Sequence, residues 1–364
     1  MTQPTAKRST RARHAATLAD VGRAAGVSAM AASAVLNGAK TSSRISDETR
    51  QRILEAAEQL RYRPNATARG LAERRMNTLG LATTLSGNEL NQYFLEVFNG
   101  VIEAAAAAGQ NTTVFAFDTW PEVARRMASI CDGRIDGLIL LAPLLGPDDA
   151  QALPEHTPVV SVHANHALPG VPNIESDEER GAFEMVRQML ALGHRRILHL
   201  AGPADSIGAN RRVAGWRRAH AEAGVPLDED LLVRGGFSAE ASRRQLADWF
   251  DAHRGDEVPH AIFAVSDAVA LGCFEVLGAR GLQVPRDLSV VGFDDTLLAR
   301  SARLATVHQP LREMGHLAVR LLLAAVDAKL GLAPPQPIAS QVLPTETVLQ
   351  PSLAPVRPGP LAIP

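Results

Sequence analysis

Charged and hydroxyl side chains follow several apolar runs, and their chemistry suits a ligand rich in hydroxyl groups. Ser266-Asp267 follows one run, Asp294-Asp295 follows another, and Arg211-Arg212 opens the helix predicted after a third. A carboxylate accepts hydrogen bonds from ligand hydroxyls, and a guanidinium donates them. The pattern predicts a binding cleft for a polyhydroxylated small molecule. Further candidates at such run ends are Thr83-Thr84, Pro143, His163 and Gly202-Pro203.

The sequence contains no recognisable catalytic or metal centre. It has no Ser, His and Asp in an order typical of nucleophilic catalysis, no metal-ligand cluster and no glycine-rich phosphate loop. Its two cysteines, Cys131 and Cys273, are isolated in apolar helical contexts, which indicates buried thiols in a reducing compartment. We therefore expect a binding protein rather than an enzyme, with no cofactor and no metal.

Short apolar strands alternate with helices from Thr78 onward, and these elements must position the candidate residues. Repeated β-α units predict parallel sheets with helices on both faces, and their ligands bind beyond the carboxyl ends of the strands. This segment is longer than one sheet usually needs, so we expect two lobes, about 77–176 with 305–350 and about 177–304. Strands are predicted at 79–84, 112–117, 137–141, 159–162, 197–201, 231–235, 261–265, 289–293, 305–309 and 338–343.

The N-terminal part of the chain predicts two short helices joined by a tight turn. Thr17 and Asp20 form a Thr-x-x-Asp capping pattern, and Gly26 can take the left-handed conformation that the turn needs. Ser28 can cap a second helix, which ends at Asn37-Gly38. The pattern is typical of a helix-turn-helix, although an ordinary αα-hairpin fits it as well.

Two further helices are predicted before residue 77. Ser46 can cap a helix over 47–60, and Asn65 can cap a marginal helix over 66–71. The second of these helices contains Leu71 beside arginines. Such a segment is suited to fold in the DNA minor groove and to insert its leucine as a wedge, whereas a plain interdomain linker is the alternative. The apolar stripe of the longer helix consists of Ile53, Ala56, Ala57 and Leu60.

Charge is distributed unevenly along the chain. Residues 1–76 carry 14 basic and 6 acidic residues, a net charge of +8, while the remainder carries 23 basic and 33 acidic residues, a net charge of −10. A basic segment joined to an acidic one indicates a polyanion-binding module attached to a body with a different partner.

Residues 17–77 closely resemble the DNA-binding head and hinge of the LacI/GalR family of repressors. The motifs are T-L-x-D-V-x-x-x-A-G-V-S from Thr17 with the V-L-N after it, S-x-x-T-R from Ser46 and Y-x-P-N-x-x-A-x-x-L from Tyr62. The resemblance implies that the second helix enters the major groove and that Leu71 opens a central base step. The DNA contacts it implies are Thr17, Ser28, Ala29, Met30, Ser33, Asn37, Tyr62, Asn65, Ala68 and Leu71.

Two positions of the second helix depart from that family. Its members commonly have Thr at position 31 and Arg at position 34, where this chain has Ala31 and Ala34. An arginine can grip a guanine edge with two hydrogen bonds and discriminate by ~1–3 kcal/mol, whereas alanine offers a methyl group suited to thymine. Either the operator differs there, or more affinity comes from phosphates and the hinge.

The larger segment resembles the effector-binding core of the same family, which is similar to periplasmic sugar-binding proteins. Matching motifs are A-L-G-H-R-R-I from Ala191, R-x-A-G-W from Arg212, S-D-x-x-A-L-G from Ser266 and S-V-V-G-F-D-D-T from Ser289. The implied fold is an all-α helix-turn-helix head joined to an α/β two-lobed core. The implied effector contacts are Arg212, Phe237, Ser266 and Asp294, with Thr84, Tyr93 and Phe94 from the first lobe beside a loop, 86–92, that looks long for the family.

Other conspicuous residues have a simpler interpretation. Apolar neighbours predict that three histidines and two tryptophans pack in the core, and two aspartates either cap helices or reach the ligand. The packing residues are His163, His199, His308, Trp216 and Trp249, and the aspartates are Asp177 and Asp267.

The predicted organisation is a disordered basic arm (1–16), a helix-turn-helix domain (17–63), a hinge (64–76), an effector-binding and dimerisation domain (77–350) and a disordered tail (351–364). Prolines rule out a regular helix in the tail, which lacks the leucine heptad that joins some family members into tetramers, so we expect a dimer. Two heads fit a near-palindromic operator in double-stranded DNA. No export signal and no membrane-spanning run are visible, so we expect a soluble, cytoplasmic protein.

We expect a transcriptional regulator, most readily a repressor, whose operator affinity depends on a sugar or other small metabolite bound between the lobes. The alternatives are a transporter's solute-binding protein, an enzyme built on the lobed fold, and a regulator that no longer senses a ligand. The basic head disfavours the first, and the missing catalytic pattern disfavours the second. The presence of both Arg212 and Asp294 disfavours the third.

Overall fold

The computed structural model describes residues 15–38, 45–85, 91–146, 149–253 and 258–357. The chain divides into two compact units, Met1–Met76 and Asn77–Pro364. Three predicted features fall wholly or mostly outside the described residues. They are the basic arm up to residue 14, the loop 86–92 except for its last two residues, and the last part of the tail, 358–364.

The smaller unit contains helices that begin at side-chain caps. They are α1 (Leu18–Ala25), α2 (Ala29–Asn37), α3 (Asp47–Gln59) and α4 (Ala66–Glu73). Thr17 Oγ1 accepts from the Asp20 backbone N–H, and the Asp20 carboxylate accepts from the Thr17 N–H, which completes the predicted capping box. Ser28, Ser46 and Asn65 cap α2, α3 and α4 as predicted.

A small apolar core holds α1, α2 and α3 together. Its buried residues are Val21, Ala25, Ala32, Ile53, Ala56 and Ala57. The apolar stripe predicted for the third helix also included Leu60, which we expected to pack in this core, but that side chain is 38% exposed. The prediction was wrong because α3 ends at Gln59 and Arg61 turns the chain with a φ of 49°. Tyr62 packs against the core instead.

The larger unit alternates strands and helices. Its strands are β1 (Thr78–Thr84), β2 (Asn111–Phe117), β3 (Gly137–Leu141), β4 (Val159–Val162), β5 (Asn173–Ser176), β6 (Ile197–Ala201), β7 (Leu232–Arg234), β8 (Ala261–Ala264), β9 (Ser289–Val291), β10 (Thr306–His308), β11 (Gln341–Leu343) and β12 (Glu346–Val348). Its helices are α5 (Gln92–Ala107), α6 (Trp120–Ile130), α7 (Glu178–Ala191), α8 (Ile207–Glu222), α9 (Ala239–Ala252), α10 (Asp267–Ala279), α11 (Leu297–Ser301) and α12 (Leu311–Lys329).

Ten of these strands form two parallel sheets, one in each lobe, while β10 and β12 form a separate pair. The first sheet has the order β11-β5-β4-β3-β1-β2, and the second has the order β7-β6-β8-β9. All pairs within each sheet are parallel. The carboxyl ends of parallel strands lie at one edge of a sheet, so each lobe has one edge at which the candidate side chains collect.

The chain passes between the lobes by strands that the sequence pattern located only in part. β11 joins the first sheet beside β5, as the prediction for 338–343 required. β10 does not join that sheet; it pairs antiparallel with β12, and His308 forms a bridge to Asp294. β5 and β12 were not predicted, because each is short and polar residues interrupt its apolar pattern.

The start of the tail is ordered against the second lobe, in contrast to the prediction that 351–364 is disordered. Ser352 is 5% exposed; its Oγ accepts from the Ala305 N–H at 2.7 Å and donates to the Val290 carbonyl at 2.6 Å. Ala354 exchanges hydrogen bonds with the Ser289 side chain. Proline density excludes a helix but not an extended segment whose backbone groups find partners on a neighbouring strand.

Replacing Ser352 by Ala should destabilise the chain by about 1–3 kcal/mol, since a buried N–H and a buried carbonyl would lose their partner. The measurement is the midpoint of denaturant unfolding of the full chain. The exposed Ser301, whose hydroxyl also bonds to a carbonyl, supplies the control: Ser301→Ala should change stability by less than about 0.5 kcal/mol. Equal effects of the two substitutions would show that the tail adds no stability.

Candidate DNA-binding face and ligand cleft

The helix-turn-helix depends on a close approach of the turn to α1. Gly26 has a φ of 69°, the left-handed conformation that was expected for the turn. A Cβ on Gly22 would lie 2.8 Å from the Val27 carbonyl oxygen, so only glycine permits this approach. The turn sets the start of α2, where Ser28 and Ala29 are exposed.

The structure places the predicted DNA-contacting residues in different settings. Met30 and Ala29 are exposed at the start of α2, with Met30 70% exposed, and Ser33 accepts a hydrogen bond from the Asn37 amide at 3.3 Å. Thr17 and Ser28 are helix caps whose hydroxyl groups remain at the surface.

Helix α4 presents an apolar side chain to solvent between basic ones. Leu71 is 81% exposed, and Arg69 and Arg74 beside it are exposed as well. Ala68 is also exposed, while Asn65 caps the helix through a 3.2 Å hydrogen bond. An apolar wedge with flanking cations has the chemistry to insert between base steps while holding the adjacent phosphates.

In the larger unit, a buried ion pair lies at the strand ends of the second lobe. Arg212 is 6% exposed and donates from Nη2 to Glu178 Oε1 at 2.9 Å. Its Nη1 donates to the Val265 carbonyl, and the guanidinium lies 4.0 Å above the Phe293 ring. The Arg212 Nε is buried and has no partner among the described residues. These contacts fix the guanidinium in place, and its Nε–H remains as a donor without a partner among the described residues.

A continuous chain of hydrogen bonds connects the strand ends of the two lobes. In the first lobe, the Tyr93 hydroxyl contacts His163 Nδ1 at 2.7 Å, and His163 Nε2 contacts Ser176 Oγ at 3.1 Å. Ser176 donates to Gln309 Oε1, and Gln309 Nε2 donates to Asp294 Oδ1 in the second lobe at 2.7 Å. This chain, Tyr93-His163-Ser176-Gln309-Asp294, is called the inter-lobe relay below.

Two further contacts close the lobes on each other. Asn165, after β4, donates to the Asp205 carbonyl at 2.7 Å and accepts from the Ile207 N–H at 2.6 Å at the start of α8. Arg211 of α8 donates to Glu175 of β5 at 3.0 Å. The polar strand ends of the two lobes therefore lie close together, and the region between them is called the crevice below.

Burial controls the protonation of the relay. Burial raises the pKa of Asp294 to about 8, against the attraction of Arg212. Burial also raises the pKa of Tyr93 well above its usual value, and the carboxylates of Glu178 and Asp294 add to the rise. Burial lowers the pKa of His163. Burial therefore favours the uncharged forms of these three relay groups, whereas the adjacent Arg212 and Glu178 form an ion pair.

Several predicted effector residues have a mainly structural role. The Phe94 ring is 5% exposed and stacks on Phe98 at 5.4 Å in the first-lobe core, so it faces the core rather than the crevice. Ser266 caps α10 through the Val269 N–H, and its hydroxyl donates to the Phe237 carbonyl at 3.3 Å. The Phe237 side chain itself is 38% exposed. Thr84 is half-buried at the end of β1.

The two aspartates with open roles are both structural. Asp177 caps α7 by accepting from the Arg180 N–H at 3.2 Å. Asp267 is fully buried and accepts from the Thr296 N–H at 2.7 Å and from the Thr306 hydroxyl at 2.6 Å. It thereby ties the Asp294 loop to β10.

Sequence reasoning missed two members of the crevice and misjudged a third. Glu178 was hidden in an acidic helix start, and Gln309 lies on a crossover that the strand pattern placed in the wrong sheet. His163, which the sequence offered both as a strand-end candidate and as a packing residue, joins Tyr93 to Ser176. The other predicted packing histidines and both tryptophans are held by internal contacts, such as Trp216 Nε1 to the Ile197 carbonyl.

Neither a metal centre nor a membrane segment is found in the described part of the chain. Across the described residues, His, Cys, Asp and Glu side chains form no group that could hold a metal ion. In the same residues, no helix combines the length and the apolar character needed to cross a bilayer.

Two family profiles match the chain in the order of its units. The profile for "Bacterial regulatory proteins, lacI family" matches residues 17–65, and the profile for "Periplasmic binding protein-like domain" matches residues 186–352. A helix-turn-helix head and a two-lobed core of this type define a DNA-binding transcriptional regulator, not an enzyme. The chain belongs to the LacI family of bacterial transcriptional regulators, as the resemblance predicted.

Individual relatives support this membership over most of the chain. Identity is 32% with the HTH-type transcriptional regulator DegA of Bacillus subtilis, over 82% of this chain and 88% of the relative. Identity is 30% with the HTH-type transcriptional repressor PurR of Aliivibrio fischeri strain MJ11, over 86% and 93%.

Solved structures are similar over nearly the whole chain. The lac repressor dimer bound to operator and the anti-inducer ONPF aligns with a TM-score of 0.78 and 27% identity, over 94% of this chain and 100% of that one. The complex of the transcriptional regulator CelR with cellobiose aligns with a TM-score of 0.67 and 29% identity, over 93% and 99%.

Replacing Asp294 by Asn should flatten the pH dependence of stability. A carboxyl group whose native pKa is raised holds a proton that the unfolded chain releases, so its contribution to stability falls as pH rises from about 4 towards 8. Asn keeps the acceptor oxygen for Gln309 and cannot ionise. We expect the loss of Tm between about pH 5 and pH 8 to be smaller in Asp294→Asn than in the native protein.

Thermal unfolding across this pH range measures the effect. The exposed Asp118 provides a matched control, because Asp118→Asn removes the same group at the surface and should leave the pH profile unchanged. A native-like slope in Asp294→Asn would rule out a buried, protonated Asp294.

Proposed function

We propose that this regulator represses transcription by binding an operator as a dimer, and that a sugar or other small metabolite in the crevice controls its affinity. The single observation that carries the ligand-control part is the inter-lobe relay beside the Arg212–Glu178 pair. These groups are polar, buried and contributed by both lobes. A ligand that engages them acts on the relative position of the lobes.

The DNA-binding part of the proposal assigns 17–63 to the helix-turn-helix domain and 64–76 to the hinge. In this assignment α2 enters the major groove and Leu71 enters the minor groove at the centre of the site. The other contacts are those at Thr17, Ser28, Ala29, Ser33, Asn37, Tyr62, Asn65 and Ala68. The similar lac repressor is a dimer on operator DNA, and a dimer of this chain fits a near-palindromic site with half-sites about one helical turn apart.

The ligand part of the proposal assigns a hydroxyl-rich compound to the crevice. Asp294, Arg212 and Tyr93 supply hydrogen-bonding groups, and Phe237 is an exposed aromatic ring for the apolar side of a sugar. Thr84 ends β1, and Ser266 follows β8 as the cap of α10. Phe94 belongs to the core cluster against which Tyr93 packs. The similar CelR binds cellobiose, which is a ligand of this chemical class.

Coupling between the two sites follows from the closed arrangement of the lobes. A ligand that favours one lobe position over another shifts the equilibrium between operator-competent and incompetent dimers. Typical coupling of about 1–3 kcal/mol corresponds to a five- to 150-fold change in operator affinity. Because its site is chromosomal DNA, we place the protein in the cytoplasm.

Leu71→Ala should weaken binding to the operator without affecting the fold, since Leu71 is 81% exposed and packs against nothing in the head core. The site is first obtained by selecting duplexes from a random pool with the full-length protein. Affinity for the selected duplex should fall at least tenfold, whereas affinity for random duplex should change less than twofold, because only the specific complex inserts the side chain.

Leu332→Ala provides the control for this experiment, because Leu332 is 67% exposed in the larger unit. It should leave both affinities unchanged. An equal loss of specific and non-specific binding in Leu71→Ala would remove the minor-groove wedge from the proposal.

Neutralising the buried ion pair should uncouple the ligand from the operator. Arg212→Ala alone would take the 2.9 Å partner away from the buried Glu178 carboxylate and leave it only the longer 3.6 Å contact with Arg211. Breaking a buried pair in this way typically costs about 3–5 kcal/mol, so the test is the double variant Arg212→Gln/Glu178→Gln. We expect native-like operator affinity and no response to any sugar that raises the Tm of the native protein in a thermal-shift screen.

Arg217→Gln/Glu229→Gln is the matched control. This ion pair is exposed, and its arginine lies on α8, as Arg212 does. It should retain both the thermal shift and the operator response. A double variant at 212 and 178 that still responds would place the ligand elsewhere. Failure of the native protein to select any duplex would instead contradict the DNA-binding part.

A further inference from the structure

We propose that α2 reads its DNA site mainly through the 5-methyl groups of thymine, with Met30 as the residue that determines this specificity. The inference rests on the proposed entry of α2 into the major groove and adds the chemistry by which it distinguishes bases. It is carried by the exposure of one face of α2 and by the hydrogen bonds that its polar groups already make.

One face of α2 is committed to the head core. Ala32 is fully buried there, and Val35 and Leu36 pack against the same cluster. The opposite face follows the helical repeat. Its members are Ala29, Met30, Ser33, Ala34 and Asn37. Met30, at 70% exposed, is the largest side chain on this face, and it lies in the first turn, where a recognition helix meets base edges.

The polar groups of this helix are engaged locally. Ser28 Oγ accepts from the Ala31 N–H at 3.1 Å, and the Asn37 Nδ2 donates to Ser33 Oγ at 3.3 Å. The Asn37 Oδ1 has no hydrogen-bond partner among the described residues, but it is buried and so is not presented at the surface of the helix. A serine hydroxyl can pair with a donor or an acceptor and therefore distinguishes bases weakly. The remaining surface of this face consists of the alanine methyl groups and the Met30 thioether.

The major groove offers one apolar group to such a surface. Guanine is read best by Arg or Lys, adenine by Asn or Gln, and cytosine by Asp or Glu, whereas thymine presents its C5-methyl group. The first two turns of α2, residues 29–35, contain none of these long or acidic side chains. The flexible Met30 thioether adapts to irregular apolar contacts, and Ala34 one turn later adds a methyl group on the same face.

Charge supports DNA as the partner of this apolar face. Residues 1–76 carry a net charge of +8, so the head attracts phosphates while α2 itself contains no charged residue. Affinity and orientation then come from the surrounding basic residues, and discrimination comes from the methyl contacts.

The experiment uses the full-length protein and the duplex that it selects from a random pool. Thymines of each half-site are replaced by deoxyuridine one at a time, which removes only the 5-methyl group. We expect one or two positions per half-site at which affinity falls about three- to fivefold, the loss that corresponds to one buried methyl group. Replacement of thymines flanking the site should change affinity less than 1.5-fold.

Met30→Ala tests the assignment to this residue. In this variant the deoxyuridine replacement at the contacted position should lose its effect, because the partner of the methyl group is gone. Leu54→Ala, which trims a 45% exposed leucine of α3, should retain the native response to deoxyuridine. Unchanged thermal unfolding of both variants shows that the fold is intact.

Two results would overturn the inference while leaving operator binding in place. One is a selected half-site whose deoxyuridine variants all bind like the original. The other is a deoxyuridine effect that persists in Met30→Ala. Failure to select any duplex would instead contradict the proposed function.

Discussion

The lobes of the larger unit are joined at their strand ends by hydrogen bonds between buried, mostly uncharged groups. The relay from Tyr93 to Asp294 passes through Gln309, which lies on a crossover between the two sheets. Each buried polar atom in such a network needs its partner, so the lobes cannot separate without exposing these atoms to water or to a ligand. In the proposed function, water on opening and a bound ligand are therefore competing partners for the same groups.

The charged pair beside the relay has a different energetic role. Arg212 and Glu178 are almost completely buried, and such a pair contributes little net stability because desolvation offsets its attraction. Its value lies in fixing the guanidinium against Val265 and Phe293. A rigid donor in a crevice discriminates between hydroxyl arrangements better than a mobile one, since no side-chain entropy is lost on binding.

The head, in contrast, depends on helix caps and a small apolar core rather than on a buried polar network. Its helices are short, and each begins at a cap, Thr17, Ser28, Ser46 or Asn65, whose side chain accepts from one of the first backbone N–H groups. Its apolar core is small, and Met30 and Leu71 are the most exposed of its large apolar side chains among the described residues. A DNA-binding module can leave these side chains exposed because the grooves offer them partners that the head itself does not provide.

The sequence by itself determined the local features. The caps, the Gly26 turn, most strand positions and the polar residues at strand ends follow from short-range sterics and hydrogen bonding, which neighbouring residues specify. Tertiary structure alone decided that Ser352 docks on the second lobe, that β10 pairs with β12, and that His163, Glu178 and Gln309 share a crevice. These contacts join residues far apart in the chain, and an apolar or acidic run looks the same whether its polar member faces solvent, a core or a ligand. Packing of the two sheets supplies that information, because it alone determines which strand ends meet.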